Sequence, residues 1–323
     1  MSSRTTIAAR PGDHLGRLRA RRRALVAAEL ILISPELVLS ALLIVHFCAP
    51  HGALLGIALG MWALLAVPAG FLAYQAGMLV PPEEARFPDT VPESEKVLLA
   101  ATWHDVAESA GLPDSTFTLA IQESEKINGS AYGRNTIRVT RAALQQLPPL
   151  ELHAMVAHEL GHHLVVGLRG PADMLLLLGL PVAPLELPQL ATHRIAERLL
   201  RHEKNSRVKK LTRLGAVCTG LPALFGILAW LFGPVPAVAL MAVTQGAPLS
   251  RAILQRHREF AADGCAVDLG YGTGMRDLLR MHIGDLRSEL DPYTALFLPH
   301  PSNRRRIRRI EARLRVLESR WRP

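Results

Sequence analysis

Two long apolar runs stand out near the start of the chain. Residues 24–49 are apolar apart from a few interruptions, and residues 53–80 contain no charged side chain. Each run exceeds the roughly 20 residues that a helix needs to cross a bilayer. We therefore predict a transmembrane helix pair over 24–80. The seven arginines of residues 1–23 place this basic N-terminus in the cytoplasm.

A polar section with shorter periodic segments begins near residue 81. Its apolar spacing predicts a helix that ends at Gly111, two short strands with a turn between them, and a second helix. In chain order these are residues 92–110, 116–121, the turn Asn128-Gly129-Ser130, 136–140 and 150–166. The strands are relevant to function, because the edge of a small sheet can pair with an extended peptide.

Residues 171–248 form a second hydrophobic section whose topology has more than one interpretation. The apolar stretch 174–185 is short and contains prolines, so we expect a re-entrant or interfacial piece rather than a span. Residues 193–213 are predicted to form a basic amphipathic helix. For the uncharged stretch 214–244 we favour a helical hairpin broken at Gly233-Pro234. A buried or re-entrant helix without a crossing is the alternative.

Composition favours a membrane protein over a nucleic-acid-binding one. The apolar fraction is 49%, aromatic residues make up 5%, and the net charge is +9. The chain has no helix-turn-helix, zinc-finger or RNA-binding signature, whereas basic cytoplasmic loops explain the positive charge. The three cysteines, Cys48, Cys218 and Cys265, are odd in number and widely spaced. We therefore predict neither a disulfide framework nor a thiolate metal site.

The helix predicted at 150–166 carries the pattern His158-Glu159-x-x-His162. Positions four apart share one helix face, so the two imidazoles can bind a single zinc ion. Glu159 directly follows the first histidine, where a general base for zinc-activated water belongs. His163 lies off that face and is not predicted to be a ligand. A chance match on a surface helix is the alternative, so the chain must supply a third ligand.

A later helix, predicted to begin with Ser250 as its N-cap, offers that ligand. Glu259 and Asp263 lie one turn apart on one of its faces. We predict that Glu259 is the third ligand. A carboxylate one turn further on can accept the proton of a zinc-bound histidine's far nitrogen, so we predict that Asp263 contacts His158. The alternative is a solvated helix whose acids pair with neighbouring arginines.

The C-terminal segment adds His300-Pro301 and a strongly basic helix from about residue 303 to 317. In one interpretation this basic surface is solvated or faces lipid headgroups. In the other, His300 donates a hydrogen bond to the oxyanion that develops beside the zinc. Arg306 is then a buried anchor or a second donor.

These residues together resemble the HtpX and CAAX-prenyl-protease superfamily of membrane-embedded zinc metalloendopeptidases, which are gluzincins. The resemblance rests on the paired apolar runs and on four motifs: His158-Glu159-Leu160-Gly161-His162, Arg258-Glu259-Phe260-x-x-Asp263, His300-Pro301 and Arg306-Ile307. It implies a mainly α fold, with polytopic membrane helices and a gluzincin-type zinc peptidase domain that carries a small β-sheet. The two halves of that domain are expected at 81–170 and 249–323, on either side of the hydrophobic insert 171–248.

The resemblance also covers Asn128-x-x-Ala131-x-Gly133, which is similar to the superfamily's substrate-strand motif. It implies that Asn128 and Ala131 bind substrate and that His300 and Arg306 line the cleft. The expected cofactor is one Zn²⁺ per chain. The expected partners are a peptide or protein substrate and the lipid bilayer, with the active site on the cytoplasmic side of the cell membrane.

The predicted function is thus a membrane-bound zinc endopeptidase with Glu159, His300 and Arg306 as its catalytic residues. One alternative is a non-proteolytic membrane sensor or scaffold with the same fold. Another is an intramembrane protease of the site-two type, although the order Asp268-Leu269-Gly270 does not fit that class.

Overall fold

The computed structural model of the chain describes residues 87–133, 135–166, 205–281 and 300–319, together with isolated positions elsewhere. Apart from such isolated positions, the predicted transmembrane pair over 24–80 lies outside the described residues, as does the stretch 174–185. Within the described part, no helix combines the length and the apolar character that crossing a membrane requires. The described fold is mainly helical with a small sheet, and the predicted membrane helices stay a prediction.

The described ranges contain helices and strands that the text numbers in chain order. They are α1 Glu93–Ala110, β1 Thr118–Gln122, β2 Gly129–Tyr132, β3 Thr136–Thr140, α2 Arg141–Gln146, α3 Pro149–Gly161, α4 Ser206–Phe232, α5 Pro234–Asp268, α6 Gly272–Met281 and α7 Asn303–Ser319. A 3₁₀ turn over Asp114–Thr116 precedes β1, and a π-helical turn over His162–Val166 continues α3. The short helix α2 and the helix α6 were not predicted.

Helix α1 matches the predicted helix at 92–110. It ends at Gly111, whose φ of 66° lies in the left-handed region that glycine adopts without a steric penalty. Its buried side chains include Leu99, Trp103 and Val106, each at most 2% exposed. The ring of Trp103 also packs edge-to-face on Phe117, just before β1. Burial of this apolar face fixes α1 against the sheet and α3.

The sheet has the strand order β1-β3-β2, so β2 lies at one edge of it. β1 runs parallel to β3, and β2 runs antiparallel to β3 with Ser130 opposite Arg138. The turn predicted at Asn128-Gly129-Ser130 is wrong, because Gly129 and Ser130 belong to β2. Pairing with β3 overrides the local turn preference, and the chain reverses at Gly133, where φ is 58°.

Helix α3 begins at Pro149, the first helical position, where a missing N–H is tolerated. Leu152, Val156 and Leu160 recur along one face and are at most 1% exposed. The predicted helix at 150–166 is therefore confirmed in extent, although its last turn is π-helical. This helix forms the centre of the apolar core and presents its other face to α5.

The second described unit is a hairpin of α4 and α5. The two helices meet at Gly233, whose φ of 84° ends α4, and Pro234 then starts α5. Leu224 and Leu228 of α4 are buried in the hairpin together with Ala237 and Leu240 of α5. The predicted break at Gly233-Pro234 and the pair of helices on its two sides are therefore confirmed, while the membrane crossings of this hairpin stay a prediction.

The predicted N-cap at Ser250 is wrong, because α5 runs without a break from Pro234 to Asp268. Packing on both sides of Ser250 carries the helix through: Leu240 is buried against α4, and Ala252 and Leu254 are also buried. The predicted boundary between the basic helix 193–213 and the hairpin from residue 214 is also absent, since α4 begins at Ser206 and continues through residue 213. The side chain of Asn205 caps it there by accepting a hydrogen bond from the Arg207 N–H at 2.9 Å.

Helices α3 and α5 cross in close contact at Gly161. A Cβ at this position would lie 2.8 Å from Cα and 2.9 Å from the carbonyl oxygen of Ala262. Both of these atoms belong to the backbone and cannot rotate away. Glycine is therefore required for the two helix axes to approach this closely, one residue before His162.

We expect Gly161→Ala to destabilise the fold by about 1–3 kcal/mol, because the added methyl group overpacks the crossing. Gly215→Ala on α4 is the matched control, since its Cβ would meet no atom within 4 Å. That change should be neutral or stabilise by up to about 1 kcal/mol. Thermal unfolding in detergent checks both variants. Equal midpoints would contradict the proposed role of Gly161.

Candidate metal centre

The two histidines of the motif point to one spot beside α5. His158 lies on the last regular turn of α3, and His162 opens the π-helical turn. Their Nε2 atoms are 3.2 Å apart, and the rings are nearly perpendicular at 88°. Both side chains are largely buried, so few water molecules compete for these nitrogens.

Glu259 of α5 completes the cluster from the other side of the helix crossing. Its Oε2 lies 3.7 Å from the His158 Nε2, and its Oε1 lies 3.7 Å from the His162 Nε2. Donor atoms of a tetrahedral zinc site with bonds near 2.0–2.2 Å are separated by about 3.3 Å. The observed separations are close to that spacing. Two imidazoles and one carboxylate are also a donor set that zinc accepts, so the residues fit a metal ion.

Electrostatics keep two of these donors, His162 and Glu259, in the forms that bind a cation. Burial and the neighbouring His158 lower the pKa of His162 to about 3, so its imidazole is neutral at physiological pH. Burial would raise the pKa of Glu259, but hydrogen bonding to His300 and the positive charge of Arg306 lower it below the usual carboxyl range. The site therefore presents a neutral nitrogen and an ionised carboxylate.

Asp263 orients His158. Its Oδ1 is 3.0 Å from the His158 Nδ1, so this nitrogen donates to the carboxylate and the Nε2 lone pair faces the cluster. Burial lowers the pKa of His158, but the Asp263 carboxylate more than offsets this. Arg306 in turn binds Asp263 through two hydrogen bonds of 2.9 and 2.6 Å. The three side chains form a continuous chain of charge and hydrogen bonds.

Arg306 comes from α7 and lies deep in the site. Its Nη1 is 3.4 Å from the Glu259 Oε2, and Asp263 holds the other side of the guanidinium. Carboxylates on both sides raise the pKa of Arg306 further above its ordinary value. Of the two roles considered from the sequence, this geometry favours the buried anchor.

His300 lies at the solvent-exposed side of the candidate ligands. Its Nδ1 lies 3.2 Å from the Glu259 Oε1, while 75% of its side chain is exposed. The hydrogen bond to Glu259 raises the pKa of His300. His163 is different, because its Nε2 donates to the Thr136 carbonyl of β3 at 2.9 Å. It therefore joins α3 to the sheet and is not part of the candidate ligand set.

Glu159 is buried beside the cluster and faces the edge strand β2. Burial raises its pKa, while the nearby His158 and a hydrogen bond from the Ala131 N–H oppose that shift. A Cβ on Gly129 would lie 3.1 Å from the Glu159 Oε1 and 2.9 Å from the Met155 Cγ. A side chain at position 129 would have to push the Met155 and Glu159 side chains aside, so glycine lets β2 lie close to the Glu159 carboxylate.

Asn128 and Ala131 occupy different positions relative to the Glu159 carboxylate. Asn128 is exposed, and its main chain joins β2 to β3: its N–H donates to the Thr140 Oγ1, and its carbonyl accepts from the Thr140 N–H. The main-chain N–H of Ala131 lies near enough to Glu159 to lower the pKa of that carboxyl. The structure thus places Ala131 next to Glu159, whereas Asn128 lies just before the edge strand β2.

The sequence interpretation missed two residues of the site, Gly129 and Gly161. Each lacks a side chain, so neither carries a chemical signature of its own. The available signal was a glycine inside a strand or helix, which often marks a close approach of two backbones. Gly129 was instead assigned to a turn.

This fold and this cluster define a class of protein. A His-Glu-x-x-His helix, a glutamate from a later helix and a carboxylate behind the first histidine are the arrangement of a metallopeptidase. The family model described as Peptidase family M48 matches residues 93–178 and 200–314, which is more than half of the chain. The chain therefore belongs to this family of metallopeptidases, and the resemblance to the HtpX and CAAX-prenyl-protease group is confirmed. A search of curated proteins found no match to the sequence of this chain.

We expect Asp263→Asn to lower zinc affinity about 10–100-fold, because an amide at this position no longer fixes the His158 tautomer. Asp268→Asn is the matched control, since Asp268 also binds an arginine, Arg313, but does so away from the histidines. Competition with a chromophoric zinc chelator measures both affinities. The role of Asp263 would be refuted if the two variants bound zinc equally well.

Proposed function

We propose that the chain is a zinc-dependent endopeptidase that cleaves extended segments of membrane proteins, unfolded proteins or a peptide precursor. One observation carries this proposal. The buried Glu159 carboxylate lies beside His158, and a Cβ on Gly129 of the edge strand would lie only 3.1 Å from its Oε1. The candidate base therefore lies next to both the candidate metal ligands and the strand to which a peptide can pair.

His158, His162 and Glu259 are the residues that would hold one zinc ion per chain. When bound, zinc supplies a Lewis acid that acidifies water and polarises the scissile carbonyl. Asp263 holds the proton of the neutral His158 imidazole on Nδ1, so that the Nε2 lone pair faces the other ligands. Arg306 holds Asp263 in position and offsets the buried negative charge of the two carboxylates.

Glu159 is the general base in this mechanism. Its carboxylate accepts the proton of the attacking water and later returns a proton to the leaving amine. His300 lies at the exposed side of Glu259, so an N–H of its imidazole can donate to the oxyanion that forms on the substrate carbonyl. Arg306 contributes by anchoring the site rather than by contacting the reacting atoms.

The substrate pairs with the open edge of β2. In an antiparallel ladder, residues alternate between hydrogen-bonded and non-hydrogen-bonded positions. The Asn128 carbonyl accepts from Thr140 N–H, so the main-chain groups of Gly129 and Ala131 face the open edge. An extended peptide can add there as a further strand beside Glu159. Asn128, exposed at the start of β2, is then in reach of the substrate.

Glu159→Gln should abolish proteolysis, with a loss of at least about 100-fold, because the amide cannot accept the proton. Zinc binding and folding should persist, since Glu159 is not among the candidate ligands. Casein digestion in detergent with zinc measures the activity. Glu151→Gln, in the first turn of the same helix, is the control and should retain activity. Near-normal cleavage by Glu159→Gln would contradict the assignment.

We also propose that the protein is bound to the cell membrane with its active site on the cytoplasmic side. The tip of the α4–α5 hairpin supports contact with lipid, because Trp230, Val235 and Val238 are 85%, 81% and 60% exposed. Large apolar side chains clustered on a surface are typical of a contact with lipid or protein. The arginine-rich residues 1–23 favour the cytoplasmic orientation.

In a Trp62→Phe background, which removes the tryptophan of the predicted transmembrane pair, lipids with brominated acyl chains should quench part of the tryptophan fluorescence, and this part should disappear when Trp230→Phe is added. Bromine quenches only on contact, so the difference between the two proteins reports the position of Trp230. Trp103 serves as an internal reference because it is 2% exposed in the protein core. Quenching of Trp230 by aqueous iodide, without quenching by brominated lipid, would contradict insertion of the hairpin tip.

A further inference from the structure

A cationic side chain lies across the face of the sheet that points away from Glu159. Arg138 of β3 is opposite Ser130 of β2, and its Nε donates to the Ser130 Oγ at 3.1 Å. The guanidinium carbon lies 5.2 Å from the centre of the Tyr132 ring. The side chain therefore reaches from the central strand over β2, toward the open edge.

Arg138 differs in its partners from Arg141 and Arg313, two other partly buried arginines. In the described part of the chain, it contacts only the neutral hydroxyl of Ser130 and the ring of Tyr132. By contrast, Arg141 binds Glu95 and Glu123, and Arg313 binds Asp268. A guanidinium has five N–H donors in a planar fork that suits a carboxylate. Most of the donors of Arg138 thus have no acceptor among the described residues.

Arg138 is half-buried beside closely packed residues of the same sheet face. Neighbours on the same face of the sheet, Ala120, Thr136 and Thr140, are at most 4% exposed. A charge-assisted hydrogen bond to a half-buried arginine is stronger than one on an open surface.

A peptide paired with β2 brings one of its side chains to this guanidinium. Side chains alternate between the two faces of a strand, so Ser130 and Tyr132 point away from the face that Gly129 turns to Glu159. The substrate residue opposite Ser130 shares the face of Ser130, with the two Cβ atoms about 4.5–5.5 Å apart. Because Arg138 already contacts Ser130, its terminal nitrogens are within reach of a carboxylate at that substrate position.

We propose that Arg138 makes the enzyme select an acidic residue at the substrate position opposite Ser130. This position is next to the residue whose main chain pairs with Ala131, and hence next to the site of cleavage. The glutamate or aspartate carboxylate accepts two N–H groups of the guanidinium. The inference rests on the proposed endopeptidase function and adds a sequence preference to it.

The experiment uses the full-length protein in detergent with zinc and a set of unstructured peptides. Each peptide carries a single Glu at one position, and its matched partner carries Gln there. Mass spectrometry locates the cleaved bond, and kcat/KM is measured for each pair. In the wild type we expect Glu to be preferred over Gln at least about tenfold at one fixed distance from the cleaved bond, with no preference elsewhere.

Arg138→Gln should cleave the Gln peptides as the wild type does and bring the Glu-to-Gln ratio close to one. Arg138→Glu should reverse the selection, so that a peptide with Lys at this position is preferred. Arg141→Gln is the matched control: this neighbouring arginine pairs with Glu95 and Glu123, and the variant should keep the wild-type ratio. If Arg138→Gln also lost activity on the Gln peptides, Arg138→Lys should restore both activity and a preference for Glu.

Three outcomes would overturn the inference. Equal cleavage of Glu and Gln peptides by the wild type would refute the acidic subsite while leaving the endopeptidase function intact. A Glu preference that persisted undiminished in Arg138→Gln would assign it to another residue. If the wild type bound zinc but cleaved no peptide and no casein, the proposed function itself would fail, and the inference with it.

Discussion

The close crossing of α3 and α5 at Gly161 is the constraint on which the rest of the site depends. Because no side chain separates the two backbones there, Ala262 lies against α3, and Glu259, one turn earlier on α5, reaches the imidazoles of His158 and His162. A wider separation would leave the carboxylate beyond the span of a metal ion. The grouping of the candidate metal ligands therefore depends on backbone packing as much as on the identity of the ligands.

The second requirement is charge balance in a buried place. Asp263 and Glu259 bring two carboxylates out of water, and an unpaired buried carboxylate is strongly unfavourable. Arg306 lies between them and contacts both, so one cation from α7 stabilises two anions from α5. The same contact leaves Asp263 ionised to accept the proton of His158. The C-terminal helix is thus part of the site although it supplies no candidate ligand.

Substrate binding and chemistry meet at β2. Gly129 allows the strand to lie against Glu159, and the nearby Ala131 N–H lowers the pKa of its carboxyl. The opposite face of the same strand carries Ser130 and Tyr132, which hold the side chain of Arg138. One short edge strand therefore connects the general base on one face with a cationic subsite on the other. A peptide that pairs with the main chain of β2 is therefore aligned beside Glu159, and the same pairing places one of its side chains beside Arg138.

Local periodicity in the sequence was enough to predict α1, α3 and the hairpin break at Gly233, because each depends on neighbours within a few residues. It also placed His158 and His162 on one helix face. Only the tertiary structure decided features that join distant segments: Gly129 and Ser130 form a strand because β3 pairs with them, and α5 continues through Ser250 because buried contacts lie on both sides. The sequence also predicted Glu259 as the third ligand of histidines about a hundred residues earlier. How closely α3 and α5 approach was decided by the tertiary structure, since Gly161 carries no pattern that reveals which backbone will pack against it.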